Sequence, residues 1–314
     1  MNELYKELKK YGSVKANIDL SKYSTLKIGG KAAFLIEVQK EALLNELLTF
    51  LTGEGIRFFI LGGGSNILFS DEDFDGVVIK IAISQIEVVD DFIEAWAGAP
   101  LALVLNTAVK NGLTGLEWAA GIPGTLGGAI RGNAGAMGQS MKDCIQKVFI
   151  WSDGEIQEFS NEKCVFGYRE SVFKKETGKV IIKAVLNLKK GEKQDILQQI
   201  SQNLLSRKKY SSLPSAGSFF KNIPLQNWPG NKIELPELFV VRKMIPAGWL
   251  IENCGLKGFK IGGAGVSQEH GNFLVNFGDA TYDQFLQLVE KIQKKVYDKY
   301  GVELEPEVQI GFPK

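Results

Sequence analysis

The stretch EWAAGIPGTLGGAIRGNAGAMG, residues 117–138, decides how this chain is read. It is crowded with glycine and alanine and carries almost no charge. Glycine is placed where the backbone must take φ > 0 or lie against another group, and it loses more conformational entropy on folding than any other residue. A run this rich in glycine implies something lying close along its backbone. A second run, ILGGGSNIL at residues 60–68, breaks an apolar strand into three consecutive glycines followed by Ser65 and Asn66. Consecutive amides in such a turn form an anion-binding concavity, to which the serine and asparagine add side-chain donors. Two such cradles in one domain suit a dinucleotide, although either run alone also reads as a turn between packed elements. Neither is a Rossmann fingerprint, because no G-x-G-x-x-G is followed by an acidic residue about twenty positions on. Neither is a Walker A loop, since no Gly-Lys-Ser/Thr closes it.

The 314 residues are enough for two domains. Hydrophobic residues make up 45% and charged residues 23%, an ordinary globular composition. The formal net charge is +1 and no basic face interleaved with aromatics appears, so no nucleic-acid partner is expected. The opening residues, MNELYKELKKYGSV, are charged and lack the apolar centre of a signal peptide. No run approaches the roughly eighteen apolar residues that span a bilayer. These features predict a cytoplasmic protein without membrane insertion. Cys144, Cys164 and Cys254 are odd in number and widely spaced, so they read as reduced small hydrophobes, with no disulfide framework and no metal site.

Periodicity predicts helices over residues 2–10, 41–52 and 101–111, and strands over 33–38, 58–61, 77–81, 86–89, 92–96, 145–151, 157–159 and 180–188. Residues 33–61 form a βαβ unit whose second strand runs into the first glycine run, at the strand end where ligands of open α/β sheets bind. A charged helix over 192–209 separates the halves; beyond it lie helices at 248–254 and 282–300 and strands at 272–277 and 302–310. The organisation expected is α+β. An entry segment covers residues 1–22, and a cofactor-directed domain covers 23–190 in two subdomains divided near residue 82. A connecting helix follows at 191–210, then a second domain of one sheet and two helices at 211–314.

Seven stretches occur in order: YSTLKIGG from Tyr23, LGGGSN, GLEWAAGIPGTLGGAIRGNAGAMG, FGYRES, PSAGSFFKN, AGWLIENCGLKGFKIGGAGVS and LEPEV. With them the chain resembles the UDP-N-acetylenolpyruvoylglucosamine reductase family over nearly its whole length. The interval between Arg169 and Ser218 carries only a strand and a helix, as in the shorter type that lacks a tyrosine-bearing loop. The resemblance implies two α+β subdomains gripping FAD, in the fold shared with the vanillyl-alcohol oxidase group, followed by a smaller α+β substrate-binding domain. It also implies an activity in peptidoglycan precursor synthesis. Hydride passes from NADPH by way of FAD to the enolpyruvyl ether of UDP-N-acetylglucosamine, and protonation completes UDP-N-acetylmuramate. The chain has no histidine before His270, so the FAD is expected to be non-covalent, and the protein is expected to be a monomer.

On the matching motifs, Arg169 of FGYRES is the arginine expected to hold the substrate carboxylate, a task that suits a permanently charged, bidentate guanidinium. Ser218 of PSAGSFFKN matches the proton donor; a hydroxyl is a weak acid, so a neighbouring cation or water has to share the task. Glu307 of LEPEV matches the glutamate beside the nascent carbanion, and Glu305 reads as the surface carboxylate of the two. Outside their motifs, Arg169 reads as a surface partner of Glu170, the Ser-Phe-Phe run as plain strand, and Glu307 as a solvated carboxylate. FAD contacts are expected from backbone amides at Gly62, Gly63, Gly64, Ser65 and Asn66, and at Gly121, Ile122, Gly124, Thr125, Gly127, Gly128 and Asn133. Tyr168, Asn222 and Lys208 are expected substrate contacts, Lys208 through the nucleotide phosphates. Arg131 either touches a flavin phosphate or turns to solvent, and residues 225–246 are either extra packing or a lid. Two other readings of the same fold stay open: a different FAD-dependent sugar or lactone oxidoreductase, and a non-catalytic relative that binds a sugar nucleotide.

Overall fold

The computed structural model describes residues 2–176, 178–207 and 212–312. The N-terminal elements are α1 (Asn2–Leu8), β1 (Ser13–Asp19), β2 (Lys31–Val38), α2 (Glu41–Gly53), β3 (Phe58–Ile60) and β4 (Phe74–Ile81). Val77, Val78 and Ile79 in β4 form an uninterrupted β-branched run, the composition of a strand covered on both faces, and all three are fully buried. They are also covered at both edges. The sheet order is β1-β2-β4-β3, with β2 and β3 each parallel to β4, so Ile36 and Ile60 flank Ile79 from opposite sides. The βαβ unit read from the sequence therefore crosses over a strand that arrives later in the chain. α2 packs its Leu44, Leu47, Leu48 and Leu51 stripe into the same core.

Next come β5 (Ile86–Val89), β6 (Phe92–Trp96), α3 (Leu101–Lys110), α4 (Leu126–Arg131), β7 (Ile145–Ser152), β8 (Glu155–Ser160), β9 (Val180–Asn187) and α5 (Lys193–Arg207). The strands form an antiparallel sheet in the order β8-β7-β9-β6-β5. Asp153 and Gly154, at φ 52 and 89, make the two-residue turn between β7 and β8 that matches strand twist. Helix α4 lies inside the long glycine run, where poor helix formers hide any period. Thr125 caps it, its Oγ1 accepting from Gly128 N–H at 3.4 Å.

The C-terminal elements are β10 (Ser215–Ser218), α6 (Ala247–Asn253), β11 (Lys260–Ile261), β12 (Ala264–Val266), β13 (Phe273–Asn276) and α7 (Tyr282–Tyr300). Their antiparallel sheet runs β10-β13-β12-β11. α7 buries Phe285, Leu288, Val289, Ile292 and Val296, the i, i+3, i+4, i+7, i+11 stripe of an amphipathic helix. A Thr281–Gln284 capping box starts it and Gly301, at φ 64, ends it. The strand expected over 302–310 shrinks to Gln309–Ile310, which pairs in parallel with Ile67–Leu68. Pro306 lacks an N–H and interrupts the ladder, although Val302, Leu304 and Val308 keep the buried side of the alternation.

The described residues fall into two compact units. One comprises Met1–Ile18, Ala32–Gly63 and Phe74–Lys208, the other Asp19–Lys31, Gly64–Asp73 and Lys209–Lys314. The linear division read from the sequence near residues 191–210 thus omits two excursions of the N-terminal half that join the second unit. Hydrogen bonds explain why: Asn276 Nδ2 donates to Leu26 C=O at 3.0 Å, and Asp71 Oδ2 accepts from Tyr282 N–H at 2.8 Å at the start of α7. Residues 225–246 leave a short hairpin in which Ile223 pairs with Ile245. Their inner side packs within the second unit, Trp228 on Tyr300 at 5.7 Å and Phe239 on Trp249 at 5.4 Å between ring centroids. That favours packing over a lid. Ile233 and Val241 stay exposed.

Cys144 and Cys164 are buried and unpaired by disulfide, and burial pushes both thiols up to about 12. Among the described residues no helix is long and apolar enough to cross a membrane, and no cluster of three metal-ligating side chains forms. Phe285→Ala should cost about 3–5 kcal/mol through the cavity it leaves, against about 1 kcal/mol for Thr281→Ala, which removes only a cap. Urea unfolding midpoints of the two variants would check this ordering.

Candidate functional site

In the first unit the two glycine runs meet. A Cβ on Gly63 would stand 2.7 Å from Gly124 Cα, and one on Gly62 would stand 2.9 Å from Thr125 Oγ1. Gly121 and Gly124 have φ 77 and 119, in the left-handed region that favours glycine. Several amides of the run are spent in holding it. Ile122 N–H donates to Ala119 C=O at 3.0 Å, and Gly127 N–H to Ala97 C=O at 2.9 Å. With Gly128 N–H aimed at Thr125 Oγ1, these three residues shape the cradle instead of donating from it. A Cβ on Gly127 would be 2.9 Å from that of Ala97, so this glycine lets α4 approach β6 and its following turn. α5 closes the start of the run: Asn203 Nδ2 donates to Glu117 C=O at 2.8 Å and Arg207 to Trp118 C=O at 3.1 Å. Arg207 Cδ lies 3.0 Å from where a Gly121 Cβ would sit, a cation beside the cradle that no motif announced.

Arg169 sits at the tip of a tight turn. Gly167 and Glu170 exchange both backbone hydrogen bonds, at 2.9 and 3.2 Å, with Tyr168 and Arg169 between them. Arg169 has φ 58, a left-handed conformation that costs a non-glycine residue on the order of 1–2 kcal/mol. Asn133, Met137 and Val165 share that region, at φ 41, 54 and 47. Strain of this kind persists only where the surroundings over-determine it. Here they do: Asn133 Nδ2 donates to Gly167 C=O at 2.7 Å, Arg169 Nη2 to Gly135 C=O at 2.8 Å, and the fully buried Ser171 to Arg131 C=O at 2.6 Å. Lys174 Nζ caps the turn on Arg169 C=O at 3.0 Å. The side chain of Asn133, whose Oδ1 also accepts from Lys142 N–H at 3.0 Å, is thus engaged with protein. The guanidinium carbon of Arg169 stands 5.3 Å from the Tyr168 ring centroid. Arg131 is half-buried rather than turned to solvent; burial lowers its basicity, with Glu170 opposing.

The second unit holds Gly64, Ser65, Asn66, Ser218, Asn222 and Glu307. β10 ends at Ser218 after an irregular register and Gly217 at φ 75. The chain then leaves the sheet and lies along residues 305–308: Glu307 N–H donates to Phe219 C=O, and Lys221 N–H to Glu305 C=O, both at 2.8 Å. Ser218 and Glu307, distant in sequence, therefore occupy adjoining segments. Asn66 fixes the second of these, its Nδ2 donating to Glu307 C=O at 3.3 Å and its C=O accepting from Gln309 N–H at 3.1 Å. Glu305 is exposed but ion-paired at 2.5 Å with Lys221, whose side chain is nearly buried. Asn222 Oδ1 accepts from Ala247 N–H at 3.1 Å. Lys208 lies outside the described residues.

Residues 32–160 match the FAD-binding domain family, and residues 208–311 match the C-terminal domain of UDP-N-acetylenolpyruvoylglucosamine reductase. The chain is 39% identical over 310 residues to the UDP-N-acetylenolpyruvoylglucosamine reductase of Caldanaerobacter subterraneus, covering 97% of this chain and 96% of that one. This chain belongs to the UDP-N-acetylenolpyruvoylglucosamine reductase family. The reductase of that name from Bacillus subtilis is 37% identical over 318 residues, covering 99% and 98% of the two chains. The crystal structure of UDP-N-acetylenolpyruvylglucosamine reductase from Thermus caldophilus matches with a TM-score of 0.79 at 31% identity, over 96% of this chain and 99% of that one. Like the family whose domain it carries, this reductase takes FAD as its cofactor. The first unit fits such a group, because the glycines at 62, 63, 121 and 124 bring two main-chain segments together, Gly121 and Gly124 at positive φ, in the kind of glycine turn whose amides hold phosphate.

Gly63→Ala should force the two runs apart and lower the ratio of flavin to protein absorbance after gel filtration, whereas Gly53→Ala, with open space around it, should leave the ratio unchanged. A pH effect is expected from His270. Its Nδ1 accepts from Asn272 N–H at 3.0 Å, and burial holds the imidazole below its ordinary value, with Glu252 opposing and Lys257 reinforcing. A folded value below the unfolded one means that the neutral ring supports the fold above about pH 6.5, and that this support is lost as pH falls through the folded value. The wild type should lose more stability than His270→Asn between about pH 7 and pH 5, as measured by urea unfolding at each pH.

Proposed function

We propose that this protein is an NADPH-dependent reductase that converts UDP-N-acetylglucosamine enolpyruvate to UDP-N-acetylmuramate for peptidoglycan precursor synthesis, acting as a monomer in the cytoplasm. The observation that carries the residue roles is the adjoining placement of Ser218 and Glu307, held by Glu307 N–H on Phe219 C=O at 2.8 Å. FAD, when bound, supplies the hydride chemistry. The amides around Gly62, Gly63, Gly121, Gly124 and Thr125 are the groups that would hold it. Asn66 is better placed to fix Glu307.

Adding hydride to the enol ether builds negative charge on the carbon that bears the carboxylate. Arg169 answers that charge with a permanent cation whose plane is set by its bond to Gly135 C=O. Tyr168 stands beside it. Ser218 Oγ–H delivers the proton to the carbanion, and the departing charge on oxygen needs a cation nearby. Lys221, nearly buried and three residues on, brings one into the same pair of segments. Glu307 orients the enolpyruvyl group, Asn222 is assigned to substrate contact, and Lys208 to the nucleotide phosphates.

The test separates the two halves of the reaction under anaerobic conditions. In Ser218→Ala, NADPH should still bleach the flavin, and the substrate-dependent return of absorbance should slow by about 10²–10⁴-fold, the usual worth of a positioned acid. Arg169→Lys should mainly weaken substrate binding, since an ammonium cannot bind a carboxylate as a fork. An unchanged return of absorbance in Ser218→Ala removes the proton-donor assignment. Bleaching without any return in the wild type would mean that the acceptor is another sugar or lactone.

A further inference from the structure

Ser218 ends a strand, and the two phenylalanines after it leave the ladder. Phe219 and Phe220 are 0% and 1% exposed, so a peptide group there without a partner would cost about 1–3 kcal/mol. At Phe220 the partner is one side chain. Phe220 N–H donates to Asn272 Oδ1 at 2.9 Å, and Asn272 Nδ2 donates back to Phe220 C=O at 2.8 Å. An amide side chain presents a donor and an acceptor side by side, as a neighbouring strand would, so Asn272 acts as one residue of missing sheet. Its own C=O accepts from Phe219 N–H at 2.8 Å.

Asn272 is itself locked. It is 2% exposed, and its N–H is taken by His270 Nδ1 at 3.0 Å. The 270–272 loop lies hard against α6: a Cβ on Gly271 would be 2.6 Å from Glu252 Cγ and 2.7 Å from Gly248 C=O, and one on Gly248 would be 2.9 Å from His270 Cε1. Glu252 Oε1 also accepts from Gly271 N–H at 2.9 Å. The other end of α6 returns to the start, since Ala247 N–H donates to Asn222 Oδ1 at 3.1 Å. The contacts form a closed ring from Asn272 to Phe220, Asn222, α6, the 270–272 loop and back to Asn272.

We infer that Asn272 is a positioning residue for Ser218, holding the irregular backbone after the strand so that the hydroxyl keeps one position beside the 305–308 segment. The inference rests on the reading of Ser218 as proton donor. Bulges beside active sites re-aim a side chain, and a re-aimed donor is useful only if the bulge cannot relax. Misplacement by about 1 Å costs up to about 100-fold in rate.

Asn272→Asp is the informative change. A protonated carboxyl reproduces both hydrogen bonds of the amide, whereas a carboxylate turns a second acceptor toward Phe220 C=O. Burial raises the pKa of such a group by up to a few units. Turnover of the FAD-loaded variant should therefore lie about 10- to 100-fold below wild type near pH 9 and approach wild type as pH is lowered toward about 6. Asn272→Ala should show no such recovery, and adding either change to Ser218→Ala should slow the reaction no further. In the wild type, hydrogen exchange should find the Phe220 amide as protected as those of β13, a measurement that does not depend on any variant folding. A variant-to-wild-type ratio independent of pH, losses that add to Ser218→Ala, or an unprotected Phe220 amide would each overturn the positioning role. If Ser218→Ala alone has no effect, the proton-donor reading fails and takes this role with it; if Ser218→Ala is slow and the Asn272 variants are not, only the positioning role fails.

Discussion

The approach of Gly63 to Gly124 is the constraint on which the first unit depends. At 2.7 Å from a would-be Cβ to the opposing Cα, the two runs touch backbone to backbone, and no other residue type can occupy the contact. Each run is in turn anchored by regular structure, the first by Leu61 N–H donating to Ile79 C=O of β4 at 2.9 Å. Gly124 C=O accepts from Leu101 N–H at the start of α3, and Gly127 N–H reaches Ala97 after β6. The glycine contact is therefore a seam between a parallel sheet and an antiparallel one, with glycine on both sides of it. Its conformational cost is met by the cores behind it, where β4 is covered at both edges and the Leu stripe of α2 packs fully buried.

A second theme is the asparagine side chain used as a portable piece of peptide. Asn133 holds the turn of Arg169, Asn66 holds the segment of Glu307, and Asn272 holds the segment after Ser218. In each case the backbone has left helix or sheet, and its polar groups need partners that regular structure no longer supplies. An amide is suited to this because it offers donor and acceptor without charge. The strained φ of Arg169 belongs to the same pattern, irregular backbone held in place by directed hydrogen bonds.

Charge is placed sparingly around these segments. Lys221 is nearly buried and pairs with Glu305, so the carboxylate that reads as a plain surface group is exposed but ion-paired. The buried thiols of Cys144 and Cys164, pushed up to about 12, are chemically quiet and serve as core volume. His270 is kept neutral by burial and works as a hydrogen-bond acceptor.

The sequence by itself determined the family, the two glycine runs and the amphipathic α7, and it nominated Arg169, Ser218 and Glu307 as a set. Each of these is written in a contiguous motif or in a local period, which a one-dimensional reading can follow. Only the tertiary structure decided that β4 slips between β2 and β3, that residues 19–31 and 64–73 join the second unit, that Pro306 breaks the last strand, and that a helix lies within the glycine run. It alone revealed that the predicted ligand residues Asn66 and Asn133 spend their amides on protein backbone, and that Asn272 completes the sheet beside Phe220. The reason is physical: these outcomes rest on hydrogen bonds and close contacts between residues tens to hundreds of positions apart, and the demand for a partner at a buried peptide group appears only once the chain around it has folded.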